Sequence, residues 1–174
     1  MLFRFLHGTL AHCVFSRILP SCRHKAWPLQ VNPQPPHAVA AVILLSDSTY
    51  LMQLRDDKPS IAFSNCWGLF GGDVEDEESP LAAIRRELIE ELGITSPKPL
   101  ALLGEIEYPR EPFACGRAAK TFFLVTMAVD VAAYLDQFEG AGRKAFTPKE
   151  LVECRNIVPW DAYGVLLHWT QAHG

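Results

Sequence analysis

Glu87, Glu90 and Glu91 stand at i, i+3 and i+4, so on a helix their three carboxylates converge on one face. Carboxylates gathered this way repel one another. Glu90 and Glu91 also fall where a helix would end, and there the dipole disfavours negative charge by about 0.3–1 kcal/mol each. Most charge runs are no more than a solvated face. A hard divalent cation with oxygen ligands removes the repulsion, and Mg2+ or Mn2+, bound through a few carboxylates together with substrate phosphates, is the occupant such a cluster suits. Arg86 can reach back to Glu78 and fasten the preceding loop to the helix, a structural role in its own right.

The helix that must carry these groups has visible ends. Ser79 is the N-cap, with Pro80 in the first turn where its missing N–H does no harm. Gly93 is the stop. Between them Leu81, Ile84, Leu88 and Leu92 recur with helical spacing and predict an apolar stripe packed on a sheet. Ala83 is expected on the acidic face, where a small side chain leaves room. Just upstream, Trp67-Gly-Leu-Phe-Gly71-Gly72 reads as a strand ending in paired glycines, where backbone must approach something closely.

Written as a pattern, Gly72 to Ile94 is G-x5-E-x7-R-E-U-x-E-E-x-G-U, with U apolar. In this the chain resembles the Nudix hydrolases, whose signature it fills at every fixed position. With about one chance in fifteen for each specified residue, an accidental match in a chain of this length is rarer than roughly one in a million. The resemblance implies an α/β (α+β) fold, a Nudix-type α/β/α sandwich with a mixed sheet. It implies hydrolysis of a diphosphate linkage in a small nucleotide substrate, with Mg2+, or Mn2+, as cofactor.

Residue by residue, the resemblance implies that Glu90 and Glu91 are metal ligands, with the backbone carbonyl of Gly71 near the same ion. Glu87 would bind a metal or the water that a cation acidifies, with Arg86 and Glu78 in the same catalytic set. Such enzymes commonly recruit a further glutamate. Glu139 looks like the acidic position ahead of the family's aromatic-x-x-x-glutamate-leucine stretch, here Phe146 to Leu151, and is the candidate base or ligand. Glu150 reads as a charge at a helix N-terminus, and Gly140 and Gly142 suggest a mobile loop.

For the substrate, the segment Tyr108 to Lys120 offers aromatics to stack on a base and cations for phosphates: Tyr108, Arg110, Phe113 and Arg117. Arg55 either touches a phosphate or ends a strand in solvent. Pro109 falls near the place where ADP-ribose-cleaving relatives carry a proline. The reading is a nucleoside diphosphate linked to another group, of nucleotide-sugar or ADP-ribose type. Alternatives are an (oxidised) nucleoside triphosphate as substrate, or a module that senses a nucleotide without catalysis. Sensors usually lose the signature's carboxylates, and this chain keeps all of them.

The 174 residues suit one domain, taken as 37–174, preceded by an extension, 1–36. Arg4, Arg17, Arg23 and Lys25 lie in a stretch, 1–46, that contains no acid, so the rest carries 12 of the 16 basic residues against all 20 acidic ones. An acidic body argues against nucleic acid as a partner. No apolar run approaches a membrane span. Five cysteines without a C-x-x-C pair suggest a reducing compartment, the cytoplasm. The extension has the arginine-with-no-acid composition of an organellar transit peptide; it reads equally as an arm packing on the domain or on a second subunit in a homodimer. Strands are expected at Ala38 to Leu45 and Tyr50 to Arg55, joined by Ser46-Asp47-Ser48, then at Leu100 to Tyr108 and Thr121 to Val131. A short helical turn at Pro148 to Leu151 and a closing helix at Trp160 to Gln171, burying Leu166, Leu167 and Trp169, complete the expectation.

Overall fold

A computed structural model describes residues 35–96, 100–110, 114 and 116–174. The expectations for the extension up to residue 34, and for Phe113, lie outside the described residues. Gln34–Gly174 is one compact unit. Its elements run β1 (His37–Leu45), β2 (Tyr50–Leu54), β3 (Trp67–Gly68), α1 (Pro80–Leu92), β4 (Leu100–Pro109), β5 (Arg117–Met127), α2 (Val129–Ala133), β6 (Gly142–Phe146), α3 (Pro148–Glu153) and α4 (Pro159–His173). Among the described residues no helix is long and apolar enough to cross a membrane.

The apolar run of β1 is continuous because both its faces are covered. Val39, Ala41, Ile43 and Leu45 pack with Ile84, Leu88 and Leu92 of α1. Ala40 and Val42 point the other way and pack with Leu151 of α3 and Val165 of α4. Strand alternation thus sorts one run into two cores, the helix–sheet–helix layering expected. The sheet is mixed, in the order β3-β2-β1-β5-β4 with β6 on β2. β1 runs parallel to β5 over its whole length and antiparallel to β2. β6 takes all of one edge of β2, so β1 and β3 share the other, β1 at Tyr50 and Leu51 and β3 at Gln53 and Leu54. Where β2 leaves β1, the segment after β3 replaces it: Ala41 N–H donates to the Phe70 carbonyl and Val39 N–H to that of Gly72, both at 2.8 Å. That exchange brings the paired glycines to the middle of the sheet, under α1.

Several expectations are corrected. Leu81 is 41% exposed, while Ala83 is fully buried in the core. The buried arc of α1 is Ala83, Ile84, Leu88, Glu91 and Leu92; it is rotated toward the acidic side, which leaves Leu81 on the rim at about 100° per residue. The strand expected to reach Val131 ends at Met127, because its partner β1 ends in register at Leu45. Val129 then opens α2, its N–H donating to Ser46 Oγ. Gly142, read with Gly140 as a sign of a mobile loop, opens the strand Gly142–Phe146, paired along β2. In α4 the buried residues are Asp161, Gly164, Val165 and His168, and Leu166 and Trp169 are exposed. Gly164 decides this: a Cβ there would stand 2.5 Å from Phe122 Cδ1, so α4 lies on the sheet through its smallest residue.

Candidate active site

The ends of α1 are as the sequence indicates. Ser79 Oγ accepts from Ala82 N–H, and Gly93 caps the other end in the left-handed region with φ 67°. Between them α1 presents Glu87, Glu90 and Glu91 with different surroundings. Glu91 is only 3% exposed. Its Oε1 accepts from Gln53 Nε2 at 2.9 Å and its Oε2 from Gly71 N–H at 2.7 Å. Burial nevertheless dominates and pushes its carboxyl up to about 7, those two donors offsetting part of the rise. Burial also raises Glu87, against the pull of Arg86.

Arg86 is the counter-charge of the cluster. Its Nη1 lies 2.7 Å from Glu87 Oε1 and 3.1 Å from Glu90 Oε2, and Nη2 lies 2.9 Å from Glu78 Oε2. Nη2 also donates to the Asp73 carbonyl. The hydrogen bond from Arg86 holds Glu78 below the usual carboxylate range, and the same partners raise Arg86. The expected reach back to Glu78 is present, and one guanidinium serves all three glutamates.

The paired glycines have separate reasons. Gly71 has φ 135°, and a Cβ on it would fall 2.2 Å from the Val39 carbonyl oxygen. Gly72 approaches a side chain instead, its notional Cβ only 2.5 Å from Glu87 Oε1. Backbone therefore cradles a carboxylate. Among the described residues no three acidic, histidine or cysteine side chains are already gathered as a metal centre, since Arg86 stands between Glu87 and Glu90. The donors nonetheless suit a hard cation: all are oxygens, from one helix face, and the Gly72 cradle leaves a side chain no room beside Glu87.

A cleft of about 740 Å3 opens on this face. Gly71, Glu87, Glu91, Glu139, Arg55, Tyr108 and Arg110 all line it, so the fold brings together most of the residues singled out from the sequence. Glu78, Arg86 and Glu90 sit beside it in the Arg86 network. Arg117 is not among the lining residues; it pairs with Glu107, its Nε 3.2 Å from Oε2. Alternation along β5 explains this, because Ala118 and Lys120 face the cleft and residue 117 faces away. Glu150 completes a capping box with Thr147, as a helix N-terminal charge should.

Three lining residues were missed. Gln53 is a buried polar residue in an otherwise apolar strand, a signal the sequence did contain. Trp160 stacks on Tyr108 with centroids 4.8 Å apart. Asp161, the one Asp or Glu of α4 and 2% exposed, accepts from Lys120 Nζ at 2.7 Å and from Leu69 N–H at 3.0 Å. Trp160 and Asp161 come to the cleft because Val158 N–H donates to the Trp67 carbonyl at 2.8 Å, docking the start of α4 against β3.

Comparison with known proteins follows the same lines. The model of the NUDIX domain matches residues 35–173. No curated protein matches the chain. Among solved structures, a MutT protein from Methanosarcina mazei Go1 superposes with a TM-score of 0.66 at 19% identity, over 81% of this chain and 99% of that one. The NUDIX domain of Shewanella oneidensis NrtR, complexed with ADP ribose, gives 0.64 at 16% identity, over 79% of this chain and 88% of that one. A bifunctional NMN adenylyltransferase/ADP ribose pyrophosphatase from Francisella tularensis, complexed with AMP and a Mn ion, gives 0.55 at 19% identity, over 80% of this chain and 42% of that one. At such identities the likeness is one of fold. With the family model spanning most of its length, and Glu87 and Glu91 of α1 lining the cleft, the chain belongs to the NUDIX domain family, hydrolases acting on pyrophosphate bonds.

Proposed function

We propose that the protein hydrolyses the diphosphate linkage of a nucleoside diphosphate joined to a second group, of nucleotide-sugar or ADP-ribose type, with Mg2+ or Mn2+. One observation carries this reading: a single cleft is lined by Glu87 and Glu91 of α1 and also by cations, a stacked aromatic pair and an apolar loop. The aromatic pair, Tyr108 and Trp160, suits a nucleobase, since stacking tolerates any base and contributes about 1–3 kcal/mol. Arg55, Arg110 and Lys120 suit phosphates. Pro59, Ile61 and Phe63 add a further wall. A second group beyond the diphosphate can lie on such a surface, whereas a terminal triphosphate calls only for cations. The Shewanella structure is complexed with ADP ribose, a nucleoside diphosphate joined to a sugar, and the Francisella one with AMP, a nucleoside monophosphate of the kind that cleaving such a linkage releases.

Glu90 and Glu91, with Glu87 and the Gly71 carbonyl, are the groups that would hold the cation. Bound there, it supplies positive charge against the diphosphate oxygens. Glu87 either completes that ligand set or accepts the proton of the attacking water; burial raises its carboxyl against the pull of Arg86. Arg86 and Gly72 keep it in place. Glu139, on the same cleft, is the other candidate for that role.

The test is a panel of nucleotides with Mg2+ or Mn2+, products being separated by phosphate chromatography. A nucleoside monophosphate plus a sugar phosphate is expected, with no turnover in excess EDTA. Pyrophosphate plus a nucleoside monophosphate would assign a triphosphate substrate instead.

A further inference from the structure

Gln53 is buried, polar and unused by the chemistry set out above. It lies on β2, 4% exposed, and alternation puts it with Leu51 on the side of the sheet that α1 covers. Its Nε2 donates to Glu91 Oε1 at 2.9 Å and to the Leu69 carbonyl at 3.2 Å. Turning the amide over would set Oε1 against two acceptors, so its orientation is determined. Oε1 is left facing the loop beyond Glu139, where a Cβ on Gly140 would stand 2.8 Å from it. Gly140 has φ 85°, and Gln137 Nε2 closes the loop by donating to the carbonyls of Glu139 and Gly142. One strand residue thus bonds the Glu91 carboxylate and lies against Gly140, next to Glu139, so closely that no side chain fits there.

From this contact we propose that Gln53 is a positioning residue, holding Glu91 in one fixed orientation toward the divalent cation. The inference rests on the metal reading given under Proposed function. A carboxylate tied at both oxygens, by Gln53 and by Gly71, cannot rotate. Without Gln53 only the Gly71 tether remains, and Glu91 can turn about it. Partners that orient ligating carboxylates change metal affinity by about 10–100-fold.

Gln53→Met keeps the length and removes the donor. Gln53→Asn keeps the amide but is too short to reach Glu91. Mn2+ alone is titrated into the full chain and both variants by calorimetry, with melting curves recorded alongside. The dissociation constant for Mn2+ is expected to rise by about 10–100-fold in both, and with substrate kcat should fall by a larger factor than KM rises. Variants that melt lower but bind Mn2+ within about twofold of wild type would make Gln53 a packing residue and overturn the proposal. Wild-type protein that takes up no Mn2+ overturns the metal reading and this inference together, an outcome distinct from equal binding by all three.

Discussion

Gly72 and Glu87 meet more closely than any residue but glycine allows: a Cβ on Gly72 would lie 2.5 Å from Oε1 and 2.8 Å from Cδ of the carboxylate. The atoms in the way are the far end of a flexible side chain, so Gly72→Ala should fold and displace Glu87 rather than unfold the sheet. The melting temperature is expected to stay close to wild type while turnover falls by about 100-fold, the scale of a misplacement of roughly 1 Å. A normal rate in this variant would show that the position of Glu87 does not matter.

Leu88 and Leu81 separate the true core stripe of α1 from the apparent one. Leu88 is fully buried, and Leu88→Ala should destabilise by about 2–5 kcal/mol through the cavity it leaves. Leu81→Ala, at an exposed site, should stay within about 0.5 kcal/mol. Urea unfolding of the two variants measures both values, and equal losses would contradict the packing of α1.

Glu91 makes the metal-free protein sensitive to pH. Its carboxyl is pushed up to about 7 in the folded chain, against an ordinary value of 4.5, so the folded state binds this proton more tightly than the unfolded one. Below about 4.5 both states hold the proton; between there and about 7 the unfolded chain releases it first, and stability falls as pH rises, levelling off above. For so buried a group the fall is on the order of 3 kcal/mol. In EDTA, unfolding free energies at successive pH values should trace it, and Glu91→Gln, which cannot ionise, should flatten the profile. Parallel profiles for the two proteins would rule the effect out.

Trp160 tests the substrate end of the cleft. Because it stacks on Tyr108 at the surface rather than filling the core, Trp160→Ala should leave the fold intact. Loss of one stacked base contact, about 1–3 kcal/mol, predicts KM higher by roughly 10-fold or more with kcat little changed. An unchanged KM for every nucleotide tried would remove the aromatic pair from recognition.

What the sequence determined by itself is local. The caps Ser79 and Gly93 and the reach of Arg86 back to Glu78 follow from spacing within and just ahead of one helix, where 3.6 residues per turn leaves little freedom. The apolar run of β1 likewise announced a strand, though not that both its faces are covered. Tertiary structure decided whatever depends on a partner distant in the chain. Gly142–Phe146 has no strand pattern of its own and pairs because β2 offers an open edge. Arg117 faces away from the cleft and Lys120 into it because β5 takes its register from β1. Gln53 reaches Glu91 across 38 residues of sequence, and Leu69 reaches Asp161 across 92. A periodic pattern reports which face of its own element a residue occupies; it says nothing of what another element brings to that face, and the cleft is made of such meetings.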